Sequence, residues 1–293
     1  MDSPYTITRT DPRCMIVEWE GREPRTFLFR SDAHHDNKQN DRELELSHLK
    51  QAQKEGHGIL DFGDLFCLME GKWDPRKTPT HAREEYLGKP YYDAVMNGAV
   101  KQYAPFADNW LMMSPGNHET SFKKQNETDP TTNLVERINE RRGTSIERMP
   151  YCGWVIFRAK CGKRNFFTMK LFYTHGSGGG GPVTRGTIQA NRRAAFAGTA
   201  DMLVSGHIHE RWILWYEHDR CTKQGMTYRQ EQIHICLPTY KREYDEGEGF
   251  HVERGAPPKP QGAFWVTLTP RRVDRSNNRH GRRLLEPLVW PAR

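Results

Sequence analysis

Five short β-forming runs in this chain each break directly into a cluster of metal-ligating residue types, and that repeated junction limits the fold more than any other feature. The runs are Thr26–Arg30, Gly58–Asp61, Trp110–Ser114, Phe166–Tyr173 and Asp201–Ser205. The clusters that follow are, in turn, Asp32-Ala33-His34, Gly63-Asp64, Gly116-Asn117-His118-Glu119, His175-Gly176 and Gly206-His207-Ile208-His209. Loops at strand ends gather side chains from distant sequence, so this rhythm points to an α/β fold with its chemistry at those ends.

Helical segments fill the intervals. One is predicted over Asp41–Lys54, and a second from Pro90, suited to a first helical position, to about Tyr103. A third starts after Asp129-Pro130 and carries Leu134, Val135 and Ile138 on one face, and a fourth follows Thr187 and ends near Gly198. Trp154–Tyr173 reads as a hairpin turning at Lys160–Asn165, while Arg211–Glu217, Gln232–Leu237 and Ala263–Leu268 read as strands able to add a second sheet. No repeat or linker divides the chain, and 293 residues suit one large domain over 1–293. Its motif-bearing core covers about 26–216, with C-terminal strands and a basic tail over about 217–293. The tail, with Arg271, Arg272, Arg275, Arg279, Arg282 and Arg283, reads as solvated or frayed surface. The hydrophobic fraction is only 35%, but aromatics at 11% bury enough area per residue to make a core attainable.

Taken singly, each cluster is an ordinary strand-end turn. Taken together, they place Asp, Asn and His side chains at five neighbouring junctions in a row. Residues two apart in extended chain share a face, so Asp32 and His34 are expected to grip one ion while His35 points away. Asp64 has two carboxylate oxygens and can bridge two ions, and Asn117 offers a neutral oxygen. His118 could be a ligand or a proton donor. His207 and His209, spanning roughly 6.6 Å of strand, can lean in to give one nitrogen to each of two metals about 3.5–4 Å apart.

These residues, in this order, resemble the calcineurin-like metallophosphoesterases. The pattern is Asp-x-His, Gly-Asp, Gly-Asn-His-Asp/Glu, a lone His, and Gly-His-x-His. The resemblance implies two β-sheets flanked by helices, a two-sheet sandwich within the α/β class. It implies that Asp32, His34 and His209 hold one ion, that Asn117, His175 and His207 hold another, and that Asp64 lies between them. It also makes His118 the catalytic histidine, near the leaving group and outside the coordination shell. Cys67 stands where many members carry an acidic residue, and Glu119 replaces the more usual Asp. The run Gly176–Gly181, with Gly178 and Gly179 at its centre, is similar to a loop of bacterial and phage members. Its backbone N–H groups could meet a phosphate oxygen, and a flexible loop without a ligand role fits the same residues.

Two divalent ions bring four positive charges; Asp32, Asp64 and a bridging hydroxide remove three, and the remaining one suits an anionic ester. The hydroxide is the expected nucleophile. A donor set of nitrogen and oxygen suits Mn, Fe, Zn, Co or Ni. A phosphodiesterase is the first expectation, a phosphomonoesterase or nuclease on the same site the second, and a noncatalytic binding or scaffold protein the third. The net charge of +7 admits phosphate esters and nucleic acid as partners. A nuclease would need a basic groove, for which Arg141, Arg142, Arg185, Arg192 and Arg193 are candidates. The opening residues contain no apolar run, no stretch could span a bilayer, and the six scattered cysteines form no Cys-x-x-Cys pair, so a cytoplasmic protein without membrane contact is expected.

Overall fold

Alternating burial along the strands sets the architecture in this computed structural model, which describes residues 4–69, 81–179, 181, 183–245, 247, 250–253, 255–273 and 282–292. The strands are β1 (Thr6–Asp11), β2 (Cys14–Glu20), β3 (Arg25–Arg30), β4 (Gly58–Asp61), β5 (Trp110–Met113), β6 (Glu147–Arg148) and β7 (Cys152–Lys160). They continue with β8 (Phe166–Thr174), β9 (Met202–Ser205), β10 (Trp212–Cys221), β11 (Thr227–Cys236), β12 (Ala263–Val273) and β13 (Arg282–Ala292). The main helices are α1 (Arg42–Glu55), α2 (Tyr91–Tyr103), α3 (Asn117–Asn126), α4 (Pro130–Arg142) and α5 (Thr187–Phe196). Among the described residues no helix is long and apolar enough to cross a membrane.

Hydrogen bonds link the strands in the order β1-β2-β7-β8-β13-β12-β3-β4-β5-β6, and β9, β11 and β10 continue from β8. The join between β8 and β13 is a single register pair, Thr168 with Leu284. The expected two sheets are therefore two facing layers of one continuous sheet folded over at that join. Phe27, Phe29, Leu60, Phe62 and Met112 from one layer meet Met15, Val17, Val155, Phe157, Leu171 and Val204 from the other. The rings of Phe27 and Phe157 lie 4.8 Å apart, in contact across the interface. Strand β7 shows the cause: Gly153, Val155, Phe157 and Ala159 point inward at every second position.

Helices cover the outer faces. Leu49, Ala52, Val95, Met96, Leu134 and Ile138 pack with Leu28 and Ile59 on the back of the β3–β4 layer. On the other layer, Ala197 and Ala200 at the end of α5 pack with Phe172 and Leu203. The caps follow from sequence. Asp41 Oδ1 accepts from Leu44 N at 3.0 Å and Gly56 ends α1 at φ 67°. Asp129 Oδ1 accepts from Thr132 N at 3.0 Å ahead of Pro130, and Gly143 ends α4 at φ 66°.

Two regions differ from expectation. The hairpin of β1 and β2 was not anticipated, although Met15, Val17 and Trp19 alternate in burial as a half-buried strand requires. The basic tail is not frayed where it is described: Arg271 and Arg272 lie in β12, and Arg282 and Arg283 in β13, paired along the whole hairpin. Arg275 and Arg279 lie outside the described residues. Prolines 287 and 291 discourage a strand reading of β13. Both are nonetheless paired within the hairpin, Pro287 opposite Leu268 and Pro291 opposite Phe264, and their four-residue spacing puts both on the same side of the ladder.

Candidate metal centre

Parallel pairing carries the clusters to one place. Arg30 pairs with Asp61 and Asp61 with Met113, so β3, β4 and β5 end together and release the Asp32, Asp64 and Asn117 loops side by side. In the other layer Tyr173 pairs with Val204, and the ends of β8 and β9 release His175 and the His207–His209 segment. The site lies at the carboxyl ends of strands from both layers.

Locally, the chain does not stay extended. Asp32, His34, Asp64, His207 and His209 all have positive φ, between 49° and 72°. The expected same-face alternation is therefore not what pairs Asp32 with His34 or His207 with His209; left-handed turns aim each side chain inward. Asp and His tolerate this region better than most residues, at a cost of about 1–3 kcal/mol for a strained position. Backbone bonds between loops hold the turns: Asp32 N to Gly63 O at 2.8 Å, His34 N to Asp64 O at 3.1 Å and Gly206 N to His175 O at 2.9 Å. Gly116 is required by close approach, because a Cβ there would overlap the Asp64 carboxylate.

The side chains form three groups: Asp32 with His34 and His209, Asp64 with His175 and His207, and His34 with Cys67 and His118, the last sharing His34 with the first. His34 Nε2 lies 3.3 Å from His209 Nε2, which lies 3.2 Å from Asp32 Oδ1. His175 Nε2 lies 3.1 Å from Asp64 Oδ2 and 3.9 Å from Asp32 Oδ1, which links the groups. Asn117 joins the second group through Oδ1, 2.6 Å from His207 Nδ1. His118 stands at the edge: Nδ1 is 2.9 Å from the Cys67 carbonyl and Nε2 is 3.8 Å from Asp64 Oδ2. His35 turns away to the hydroxyl of Tyr86, at 2.8 Å.

Electrostatics match the geometry. Burial would raise Asp64, but His175 and His118 more than offset it and hold the carboxyl well below its ordinary range. Burial likewise opposes protonation of His175, yet Asp64 and Asp32 push it up to about 10. His209 is pushed up to about 10 by Glu243 and Asp32, again against burial. Burial, with His118 and His209 nearby, drives His34 well down and leaves it neutral. The carboxylates thus draw positive charge into a cluster that also holds neutral imidazole, the surroundings a divalent cation requires.

The donors fit such ions. Asp32 Oδ1 and His175 Nε2 are buried, with each other and the facing His209 Nε2 and Asp64 Oδ2 as polar neighbours at 3.1 to 3.9 Å. Donors around one ion at about 2.0–2.2 Å stand roughly 3 Å apart, close to the spacings above. The outer nitrogens are already engaged, His175 Nδ1 with Phe62 O at 2.9 Å and His34 Nδ1 with Cys67 Sγ at 3.1 Å, which leaves Nε2 facing inward.

Several supporting residues escaped the sequence reading. Glu119, counted only as a motif letter, is buried and accepts from the backbone N–H groups of Asp64, Phe66 and Gly116 at 3.2, 2.9 and 2.7 Å, tying two ligand loops together. Arg30 is buried between Glu45 at 2.8 Å and Asp61 at 2.9 Å, and Asp61 Oδ1 accepts from Gly63 N at 3.0 Å, which braces the Asp64 turn. Glu243 lies 3.2 Å from His209 Nδ1, from a segment with no motif. Gly178 and Gly179 are exposed in the loop that leaves His175, and Gly180 lies outside the described residues. The candidate arginines are divided between the two outer faces, with Arg185 exposed just ahead of α5. Arg141 and Arg142 end α4, whereas Arg192 and Arg193 lie on α5 of the opposite outer layer, with Arg193 buried on Ser205 Oγ at 2.5 Å.

No protein-family profile and no curated protein sequence matches the chain. Solved structures give distant likenesses. A Streptococcus pneumoniae protein described as a predicted phosphoesterase is 9% identical, with 92% of this chain and 100% of that chain covered and a TM-score of 0.33. Vacuolar protein sorting 29 of Cryptosporidium parvum is 12% identical, with coverage of 92% and 98% and a TM-score of 0.36. GAP50 of Plasmodium, described as the anchor in the inner membrane complex, is 10% identical, with coverage of 89% of each chain and a TM-score of 0.39. Likenesses this distant carry no functional weight. The chain's own five motifs, brought to one site, are what make it similar to the calcineurin-like metallophosphoesterases.

Proposed function

We propose that this chain is a metal-dependent hydrolase of phosphate esters, and first of all a phosphodiesterase, working with two divalent ions. The observation that carries the reading is the convergence of two donor groups, Asp32/His34/His209 and Asp64/His175/His207, linked through Asp32 and Asp64. In this reading the first group holds one ion, Asn117, His175 and His207 hold the other, and Asp64 lies between them. Two bound ions of Mn, Fe, Zn, Co or Ni type would supply Lewis-acid charge and a shared water acidic enough to attack phosphorus.

The protein's own groups do the rest. His118 offers Nε2 at the rim, beside Asp64, while the Cys67 carbonyl fixes Nδ1 as the proton-bearing nitrogen. That places a proton donor beside the leaving oxygen when the imidazole is doubly protonated. Gly178 and Gly179 are proposed as backbone contacts for the phosphate. Lys241 and Glu243 lie 3.2 Å apart and cancel each other, so the site keeps the small positive charge expected from two ions, two aspartates and a hydroxide, which suits a monoanionic diester.

A metal-by-substrate panel tests the reading. Chelator-stripped protein is reloaded with each metal and assayed on bis-nitrophenyl phosphate, nitrophenyl phosphate, cyclic nucleotides, DNA and RNA. The diester should turn over faster than the monoester. The reverse order overturns the diester assignment, and two bound ions with no hydrolysis of any ester make the chain a scaffold. Cleavage of nucleic acid that falls steeply with salt identifies a nuclease.

A further inference from the structure

We propose that Glu243 is a positioning residue for the first metal site, fixing His209 so that Nε2 faces the ion; this rests on the two-metal reading above. Glu243 follows β11, in a segment clamped against the ligand loops. Tyr240 N and Thr239 Oγ1 both donate to Asp32 O, at 3.1 and 2.7 Å, and Asp41 N donates to Tyr240 O at 2.7 Å. Arg242 N donates to Gln39 O at 2.8 Å, and the Arg242 guanidinium holds Asp41 at 2.6 Å. Glu243 itself is buried, with Oε1 3.2 Å from His209 Nδ1 and 3.2 Å from Lys241 Nζ.

A carboxylate at Nδ1 keeps the proton on that nitrogen, points the Nε2 lone pair inward and makes it a stronger donor. His209 Nε2 accordingly faces Asp32 Oδ1 and His34 Nε2, at 3.2 and 3.3 Å. The other histidines are backed differently. His175 has a neutral carbonyl at Nδ1 and His34 has the Cys67 sulfur. Among these three, only His209 has a carboxylate behind it, so the two sites should differ in their dependence on this residue. The plainer alternative is that Glu243 serves only as the partner of Lys241 and pins the segment.

The test uses the full chain, stripped and titrated with Zn²⁺ in wild-type, Glu243→Gln, Glu243→Asp and Lys241→Met forms, with thermal unfolding followed in parallel. Wild type should take two equivalents. Glu243→Gln should keep one site unchanged and weaken the other about 10–100-fold, with Glu243→Asp recovering part of the loss and Lys241→Met close to wild type. Two wild-type affinities in Glu243→Gln, or an equal loss in Lys241→Met, overturn the proposal. A wild type that never exceeds one equivalent overturns the two-metal reading instead. Should the variants unfold, long-range ¹H–¹⁵N spectra of the Zn²⁺-loaded wild type decide the matter. An Nδ1–H tautomer at His209 supports the assignment, and Nε2–H refutes it.

Discussion

Five of the seven residues assigned as ligands sit at positive φ, and this shapes how each can be replaced. Asp64 has its turn braced by Glu119 and by Asp61, so removing its side chain keeps those backbone bonds and loses the one that Asp64 Oδ1 accepts from His118 N. His118 differs, because it lies in the first turn of α3 at ordinary helical geometry; its backbone N–H donates to Asp64 Oδ1 at 2.9 Å and its ring stands 4.9 Å from that of His34. A donated proton matters in proportion to how poor the leaving group is. A nitrophenolate leaves unprotonated, whereas a sugar alkoxide does not, and general acid catalysis is worth about 10²–10⁴-fold. His118→Ala should therefore keep both metals by elemental analysis, lose activity on an alkyl ester by a factor in that range, and lose much less on a nitrophenyl ester. Equal losses on both esters would assign His118 to phosphate positioning, and loss of metal would place it inside the coordination shell.

Elements show what was legible in the sequence and what was not. The five strand-to-cluster junctions could be read because motif and strand are adjacent in the chain, and their runs match β3, β4, β5, β8 and β9 within a residue or so. Helix α3 could not, since Phe122 is its only buried apolar residue and no periodicity marks it. Arg30, Glu119 and Glu243 were illegible as supports because Glu45, Asp64 and His209, the partners they brace, lie 15, 55 and 34 residues away, and only pairing brings them together. Strand β11 carries a pH effect of the same long-range kind. The His234 ring lies tilted against Tyr216, with centroids 4.4 Å apart, and its Nε2 lies 2.8 Å from Gln232 Oε1. Burial, then Arg193 and His218, lower it to about 4. The unfolded chain, with an ordinary histidine near 6.5, takes up the proton first. Stability is thus lost as pH falls from about 6.5 toward 4 and falls no further from this group below that. Denaturant midpoints at pH 7.5 and 5.0 should drop more in wild type than in His234→Gln; parallel drops would show that this histidine is not the sensor.

At the scale of the whole molecule, the proposed ligands span both layers of the folded sheet: Asp32, His34, Asp64 and Asn117 follow strands of one layer, and His175, His207 and His209 follow strands of the other. The β8–β13 join contributes only one register pair, so the facing apolar surfaces and the site together hold the layers in register. An ion bound by residues from both layers binds the native state and has no such site in the unfolded chain. It stabilises by RT ln(1 + [M]/Kd), about 2.7 kcal/mol for one site at a hundredfold excess over Kd. For a domain of this size that raises Tm by several degrees. Chelation should lower Tm by that amount while unfolding stays a single transition, and reloading should restore it. Asp64→Ala, lacking the carboxylate proposed to lie between the two ions, should respond to metal far less. Calorimetry of stripped and reloaded protein measures both. A Tm that ignores metal shown to be bound would mean that the ions also bind the unfolded chain. A separate low-temperature transition, abolished by metal, would mean that the site opens on its own and that the apolar interface alone holds the two layers together.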